Sequence, residues 1–268
     1  MVRFNEEKKV NEIAIVEIFK SIDGEGFHAG QATVFVRTLG CNLRCAWCDS
    51  AYTFSEEQFK EAYGKDIRWM TVEEIFEEVE KLETYTVKLP GGIEEREWEY
   101  KSICLTGGEP LMEVNKEFVT ELIHKFIDAD YAVNVETNGS IDYKYWRDEF
   151  PIPEEVRGDL YGNRVGMMSL ITDWKLPHSK MNKLMNNANL IEVLTPFDLV
   201  KCVVSDDPED WRELERLVKV CVNAKIYISP CFGEVTMSKL PEFVMNHPNV
   251  VCQLQQHKIF WSPDTLGV

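Results

Sequence analysis

The sequence predicts an α/β protein, a partial (β/α) barrel of about six parallel strands with insertions. Two observations carry this. From residue 101 onward, short β-rich runs alternate with segments of helical period, the order that parallel strands joined by right-handed crossovers produce. Several of these runs also end in glycine or charged residues, and strand ends are where a parallel sheet places its ligands. At 268 residues the chain can bury roughly three-quarters of its extended surface. It reads as one domain over 1–268, with insertions near 55–100 and 141–168.

Residues 13–19 and 32–37 are β-rich, are bounded by glycine or polar residues, and read as strands. Between them Gly24, Gly26 and Gly30 allow a tight path that exposes Glu25. Residues 71–84 place Val72, Ile75, Phe76, Val79 and Leu82 at helical spacing, with Thr71 and Glu74 as a capping box. Residues 86–93 and 97–100 predict a hairpin around Pro90-Gly91-Gly92.

The strand at 101–105 runs into Thr106-Gly107-Gly108-Glu109-Pro110, where the paired glycines let a ligand touch the backbone. A helix at 116–129 and a strand at 132–136 follow. Residues 142–166 mix Pro151, Pro153, Gly158 and Gly162 with charges, show no period, and read as irregular. The next strand, 168–172, ends in Asp173-Trp174-Lys175. Runs at 199–204, 225–229 and 250–254 complete the strands, separated by helices near 208–220 and 236–246.

Charge excludes one class of partner. Lys and Arg number 29 against 46 Asp and Glu, a formal net charge of -17, which repels phosphate backbones and argues against nucleic acid. The first nine residues have no apolar leader, and no run approaches the ~18 apolar residues that span a bilayer, so no membrane association and a cytoplasmic location are expected. In a reducing compartment clustered cysteines point to metal ligands over disulfides, while Cys104, Cys202, Cys221, Cys231 and Cys252 read as core residues.

Cys41, Cys45 and Cys48 are spaced four and then three residues apart. Three thiolates from one loop can hold three irons of a cubane cluster and leave the fourth iron open to another ligand. The same spacing also fits three inert cysteines on one face of a core helix. A structural zinc site is the other option, although it normally takes four ligands in paired C-x-x-C knuckles, and one such pair occurs here. Gly40 and Asn42 favour a loop.

With its flanks the pattern narrows. The segments Ser21-Ile22-Asp23-Gly24-Glu25-Gly26, Thr106-Gly107-Gly108-Glu109-Pro110, Glu136-Thr137-Asn138-Gly139 and Gln255-Gln256-His257-Lys258 make the chain resemble the radical S-adenosylmethionine enzymes. Within these it is similar to the 7-carboxy-7-deazaguanine synthase family, and the landmarks run from about residue 13 to 260. The cysteine loop carries the superfamily; the early Glu-Gly segment and late His-Lys pair carry the narrower likeness. Asp23 departs from the family's glutamine, and a carboxylate accepts hydrogen bonds where an amide also donates.

The resemblance implies a radical-SAM-like barrel and a lyase of queuosine and 7-deazapurine biosynthesis. Its reaction converts 6-carboxy-5,6,7,8-tetrahydropterin to 7-carboxy-7-deazaguanine with loss of ammonia. It implies a 4Fe-4S cluster on Cys41, Cys45 and Cys48 and Mg2+ at the Ser50 hydroxyl. It places S-adenosylmethionine against Trp47, Asp49, Gly107, Gly108, Glu109, Glu136, Asp173 and Lys175. The pterin falls to Ile22, Asp23, Gly24, Glu25, Arg37, Thr106 and His257, with Arg37 suited to a carboxylate because a guanidinium forms two parallel hydrogen bonds. No side chain is assigned as a catalytic acid or base. An electron donor such as flavodoxin or ferredoxin and a homodimer complete the expectation. A glycyl-radical activating enzyme, which shares the cysteine spacing and needs a protein partner, and a non-catalytic iron-sulfur module are the rivals.

Overall fold

A computed structural model describes residues 1–7, 9–83, 85–88, 95–98, 101–158, 164–262 and 265. Its centre is a ten-stranded sheet. In spatial order the strands are Val2–Asn5, Val10–Ile22, Ala32–Thr38, Ser102–Gly107, Ala132–Thr137, Met167–Asp173, Leu199–Val204, Lys225–Pro230 and Val250–Cys252, with Arg68–Met70 also on Val10–Ile22. From Ala32–Thr38 to Val250–Cys252 every pairing is parallel, which is the expected partial barrel with one more strand than expected.

Parallel strands covered on both faces become continuous apolar runs, and Leu199–Val204 is buried at every position. Lys201 lies inside it. The helices Val72–Glu83, Lys116–Asp128, Pro208–Val220 and Lys239–Asn246 supply the covering layer, through Ile75, Val79, Val119, Ile123, Phe126, Leu214, Leu217 and Leu240. Each such side chain contributes roughly 1.5–3 kcal/mol of burial. The capping box closes as read: Glu74 N donates to Thr71 Oγ1 at 3.2 Å, and Thr71 N to Glu74 Oε2 at 2.9 Å.

Several expectations need correction. The strand read at 13–19 is present but longer, Val10–Ile22, and it is antiparallel to all its neighbours. The span 55–100 carries the helix Glu56–Tyr63, capped by Ser55, whose Phe59 packs on Ala14, Val16 and Leu39. Residues 142–166 hold the helix Lys144–Glu149, anchored by buried Trp146, and a pair of two-residue strands, Arg157–Gly158 and Arg164–Val165. These short elements escape a periodicity reading. The helix expected from 236 begins at Lys239, the last strand stops at Cys252, and Cys252 is exposed, not core. Tyr85–Lys88 pairs with Glu95–Trp98 as the predicted hairpin, while its Pro90-Gly91-Gly92 tip and Gly162 lie outside the described residues.

Candidate active site

The carboxyl ends of the parallel strands surround a cavity of about 660 Å³. One wall is the cysteine loop. It leaves Ala32–Thr38 through Leu39 and Gly40, and residues 41–50 form no helix, which removes the core-helix reading of the three cysteines. Gly40 has a φ of 96°, in the region that favours glycine. Gly107 and Gly108 face the same turn. A β-carbon on Gly107 would collide with the Thr38 backbone, and one on Gly108 with the Gly40 carbonyl. The glycine pair is thus required first by the close passage of two backbones, while both residues still line the cavity.

The loop is held from several sides. Glu109 N donates to Gly40 O at 2.8 Å, Ala46 N to Ser179 O at 3.0 Å, and Asn138 Nδ2 to Asn42 Oδ1 at 2.8 Å. Cys41, Cys45 and Cys48 all reach the cavity. Burial pushes the three thiols above their usual range, Cys45 to about 11, with Lys175 opposing it there. A metal is then what favours the thiolates. Three thiols from one loop fit three irons of a cubane cluster, whereas a structural zinc normally takes four ligands.

Opposite the loop lies a charged network centred on Lys201. Its Nζ stands 3.0 Å from Glu25 Oε2, 3.5 Å from Glu136 Oε1 and 3.8 Å from Asp173 Oδ2. Burial alone would raise Glu136, yet Lys201 and the Thr106 hydroxyl, which donates at 2.7 Å, outweigh it and leave the carboxyl below its ordinary value. Lys175 pairs with Asp173 at 2.7 Å and sits over the Trp47 ring. Glu25 Oε1 and Asp173 Oδ1 are buried without a hydrogen-bond partner, although both side chains line the cavity. Buried acceptors left open this way fit a ligand that brings donors.

The remaining wall joins residues distant in sequence. Gln256 N donates to Gly24 O at 3.1 Å, Gln255 Nε2 to Glu25 Oε2 at 3.3 Å, and Gly26 N to Gln253 Oε1 at 2.8 Å. Lys258 reaches Asp49 at 3.0 Å and so ties the same segment to the cysteine loop. Asp23 Oδ1 accepts from Glu25 N at 3.1 Å and holds the turn; burial and nearby Glu136 raise its carboxyl to about 7. Ser50 Oγ lies 3.1 Å from Asp49 Oδ1 on the cavity wall, two oxygens of the kind magnesium takes.

Every expected site residue except Glu109 lines this cavity. Glu109 is fully buried behind it, accepting from Leu111 N, Thr137 Oγ1 and Asn138 N, so it shapes the adjoining loop without reaching the space. Arg37 lines the cavity but already commits Nε to Glu17 at 2.8 Å, the structural ion pair such a residue can make. Glu17 also accepts from Tyr63 at 3.1 Å. Lys201 and Glu17 were not singled out in the sequence. A lone lysine inside the apolar run of Leu199–Val204 was the available signal for the first.

Comparison with known proteins agrees with this geometry. Residues 35–150 match the radical SAM superfamily. The chain is 31% identical to the 7-carboxy-7-deazaguanine synthase of Clostridium acetobutylicum, over 95% of this chain and 98% of that one. It is 34% identical to the 7-carboxy-7-deazaguanine synthase of Koribacter versatilis, over 95% and 99%. Among solved structures, QueE from Escherichia coli superposes with a TM-score of 0.58 at 19% identity, covering 91% of this chain and 93% of that one, a likeness of fold.

Proposed function

Since the chain belongs to the 7-carboxy-7-deazaguanine synthase family of the radical SAM superfamily, we propose that its cavity converts 6-carboxy-5,6,7,8-tetrahydropterin to 7-carboxy-7-deazaguanine, releasing ammonia. The observation that carries this is the placement of Glu25, Arg37 and His257, far apart in sequence, around one space that also holds the three cysteines. The relatives do not favour a glycyl-radical activating enzyme or a non-catalytic iron-sulfur module.

Cys41, Cys45 and Cys48 would hold a 4Fe-4S cluster. Bound there with S-adenosylmethionine, the cluster would supply one-electron radical chemistry toward the substrate. The protein's part is to bind and orient. Asp173, Lys175, Trp47 and Asp49 stand on the cofactor side, where Lys175 neutralises charge beside the thiolates. Gly107 and Gly108 bring bare backbone to the same side, and Glu136 lies between the two halves through Thr106 and Lys201.

On the substrate side, Glu25 offers Oε1 to the pterin's guanidine-like edge, while Ile22, Asp23 and Gly24 supply the turn around it. Arg37, steadied by Glu17, keeps its terminal nitrogens for the carboxylate. Burial lowers the His257 imidazole below its usual value, which suits a neutral hydrogen-bonding wall. Mg2+ would take the Ser50 hydroxyl together with substrate oxygens and water.

A one-electron donor such as flavodoxin or ferredoxin and a homodimer follow from the family resemblance, and the cytoplasmic setting from the sequence reading. Among the described residues no helix is long and apolar enough to cross a membrane. The test is to reconstitute the protein anaerobically, add S-adenosylmethionine, and measure 5'-deoxyadenosine with and without the tetrahydropterin. Stimulation by the pterin supports the reading; stimulation only by an added polypeptide would transfer it to the glycyl-radical activating class.

A further inference from the structure

Beside the cavity stands a second group of ligand atoms that the proposed reaction leaves unused. A ring nitrogen of His178, Cys231 Sγ and a Glu234 carboxylate oxygen lie within 4.8 Å of one another, and His178 Nε2 is 2.6 Å from Glu234 Oε2. Cys231 and Glu234 line the cavity itself.

Each donor is positioned by its own backbone anchor. His178 N donates to Asp210 Oδ1 at 2.8 Å, and the other oxygen of that fully buried carboxylate accepts from Ser205 N and its hydroxyl. Cys231 N donates to Val204 O at 2.7 Å, which fixes the sulfur at the end of a parallel strand. Glu234 N then donates back to Cys231 O at 3.0 Å across a turn whose third residue, Gly233, has a φ of 76°. That turn brings Glu234 beside Cys231, while Asp206 N donates to Glu234 O at 2.9 Å from outside. The donors converge because two separately anchored segments, the 177–179 turn and the 231–234 turn, hold them, so little reorganisation is needed to close them around an ion.

The donor set selects the ion. A thiolate is a poor partner for magnesium or calcium, and one sulfur, one imidazole and one carboxylate suit zinc, which takes tetrahedral sites of mixed nitrogen, sulfur and oxygen ligands. Cys231 is buried while Glu234 is half-exposed, so the set is closed on its inner side and open outward.

We propose that His178, Cys231 and Glu234 bind one zinc-class divalent cation, with a fourth position open for water. The ion would fasten the loop after Lys225–Pro230 to the 177–179 turn, whose Ser179 carbonyl accepts from Ala46 of the cysteine loop.

The test uses anaerobic protein whose iron and sulfide contents show a loaded cluster. Incubate it with zinc sulfate, desalt it, and record zinc content and the zinc X-ray absorption edge. The expected result is about one retained zinc per chain, with one sulfur at about 2.3 Å and nitrogen or oxygen neighbours at about 2.0–2.2 Å. Cys231→Ser and Glu234→Gln should each weaken retention at least about tenfold with iron content and metal-free melting temperature unchanged. The exposed Glu234 side chain keeps the test valid should the Cys231 variant fold poorly. No retained zinc, zinc in a three-sulfur shell belonging to the cluster loop, or retention indifferent to both substitutions would overturn the site.

Discussion

His257 Nδ1 occupies the space that a side chain on Gly24 would need. Gly24 is not in the positive-φ region, so alanine there meets no backbone strain and acts through the displaced imidazole. Gly24→Ala should raise the apparent substrate constant about tenfold, ~1.4 kcal/mol, and leave cofactor cleavage without substrate near its original rate. Steady-state kinetics with the tetrahydropterin checks this; an unchanged substrate constant would separate His257 from the substrate.

Lys201 is the sole cation within 4 Å of Glu25 and Glu136 among the described residues, and it also faces Asp173. Removing one partner of a buried pair leaves charge uncompensated, a loss of about 3–5 kcal/mol. Lys201→Met should therefore be strongly destabilised at pH 8 and recover part of the loss toward pH 5, because Glu136, which burial would raise and the lysine holds below its ordinary value, then takes up a proton more readily. Urea unfolding at both values decides; a deficit independent of pH would show that packing, not charge, is what the lysine supplies.

Asp23 gives a pH dependence of its own. Its folded-state pKa, about 7, lies above the usual aspartate value, so between those two values the folded protein holds a proton that the unfolded chain has lost. Its contribution to stability is therefore full at low pH and declines as pH rises through that window. Asp23→Asn keeps an oxygen to accept from Glu25 N and removes the titration. The variant should be more stable relative to the parent at pH 8 than at pH 5, as paired melting curves would show.

Much of this was legible in the sequence. Gly40 and Asn42 announced that Cys41, Cys45 and Cys48 lie in a loop, and Thr71 with Glu74 announced a helix start by hydrogen-bonding chemistry. What escaped depended on contacts between distant residues. The family resemblance set Glu109 against the cofactor, yet its carboxylate turns inward to Thr137 and Asn138, which no local pattern encodes. Lys201 looked like part of a strand because its three partners come from three other segments. Gly107 and Gly108 were read as room for a ligand, whereas their first constraint is the backbone of Thr38 and Gly40.

Ser50→Ala should increase the magnesium concentration needed for half-maximal turnover several-fold and leave cluster content unchanged, since the hydroxyl offers an oxygen and no cluster ligand. Turnover measured against magnesium concentration, with iron quantified in parallel, tests it. Indifference of turnover to both magnesium removal and the substitution would dismiss a metal at this hydroxyl.

The product itself tests the proposed reaction most directly. Reduced, cluster-loaded protein is incubated anaerobically with S-adenosylmethionine and 6-carboxytetrahydropterin, and the mixture is resolved by mass, with Cys45→Ala as the control. The parent protein should form 7-carboxy-7-deazaguanine together with 5'-deoxyadenosine, and the variant neither. Formation of 5'-deoxyadenosine without the ring-contracted product in repeated trials would contradict it.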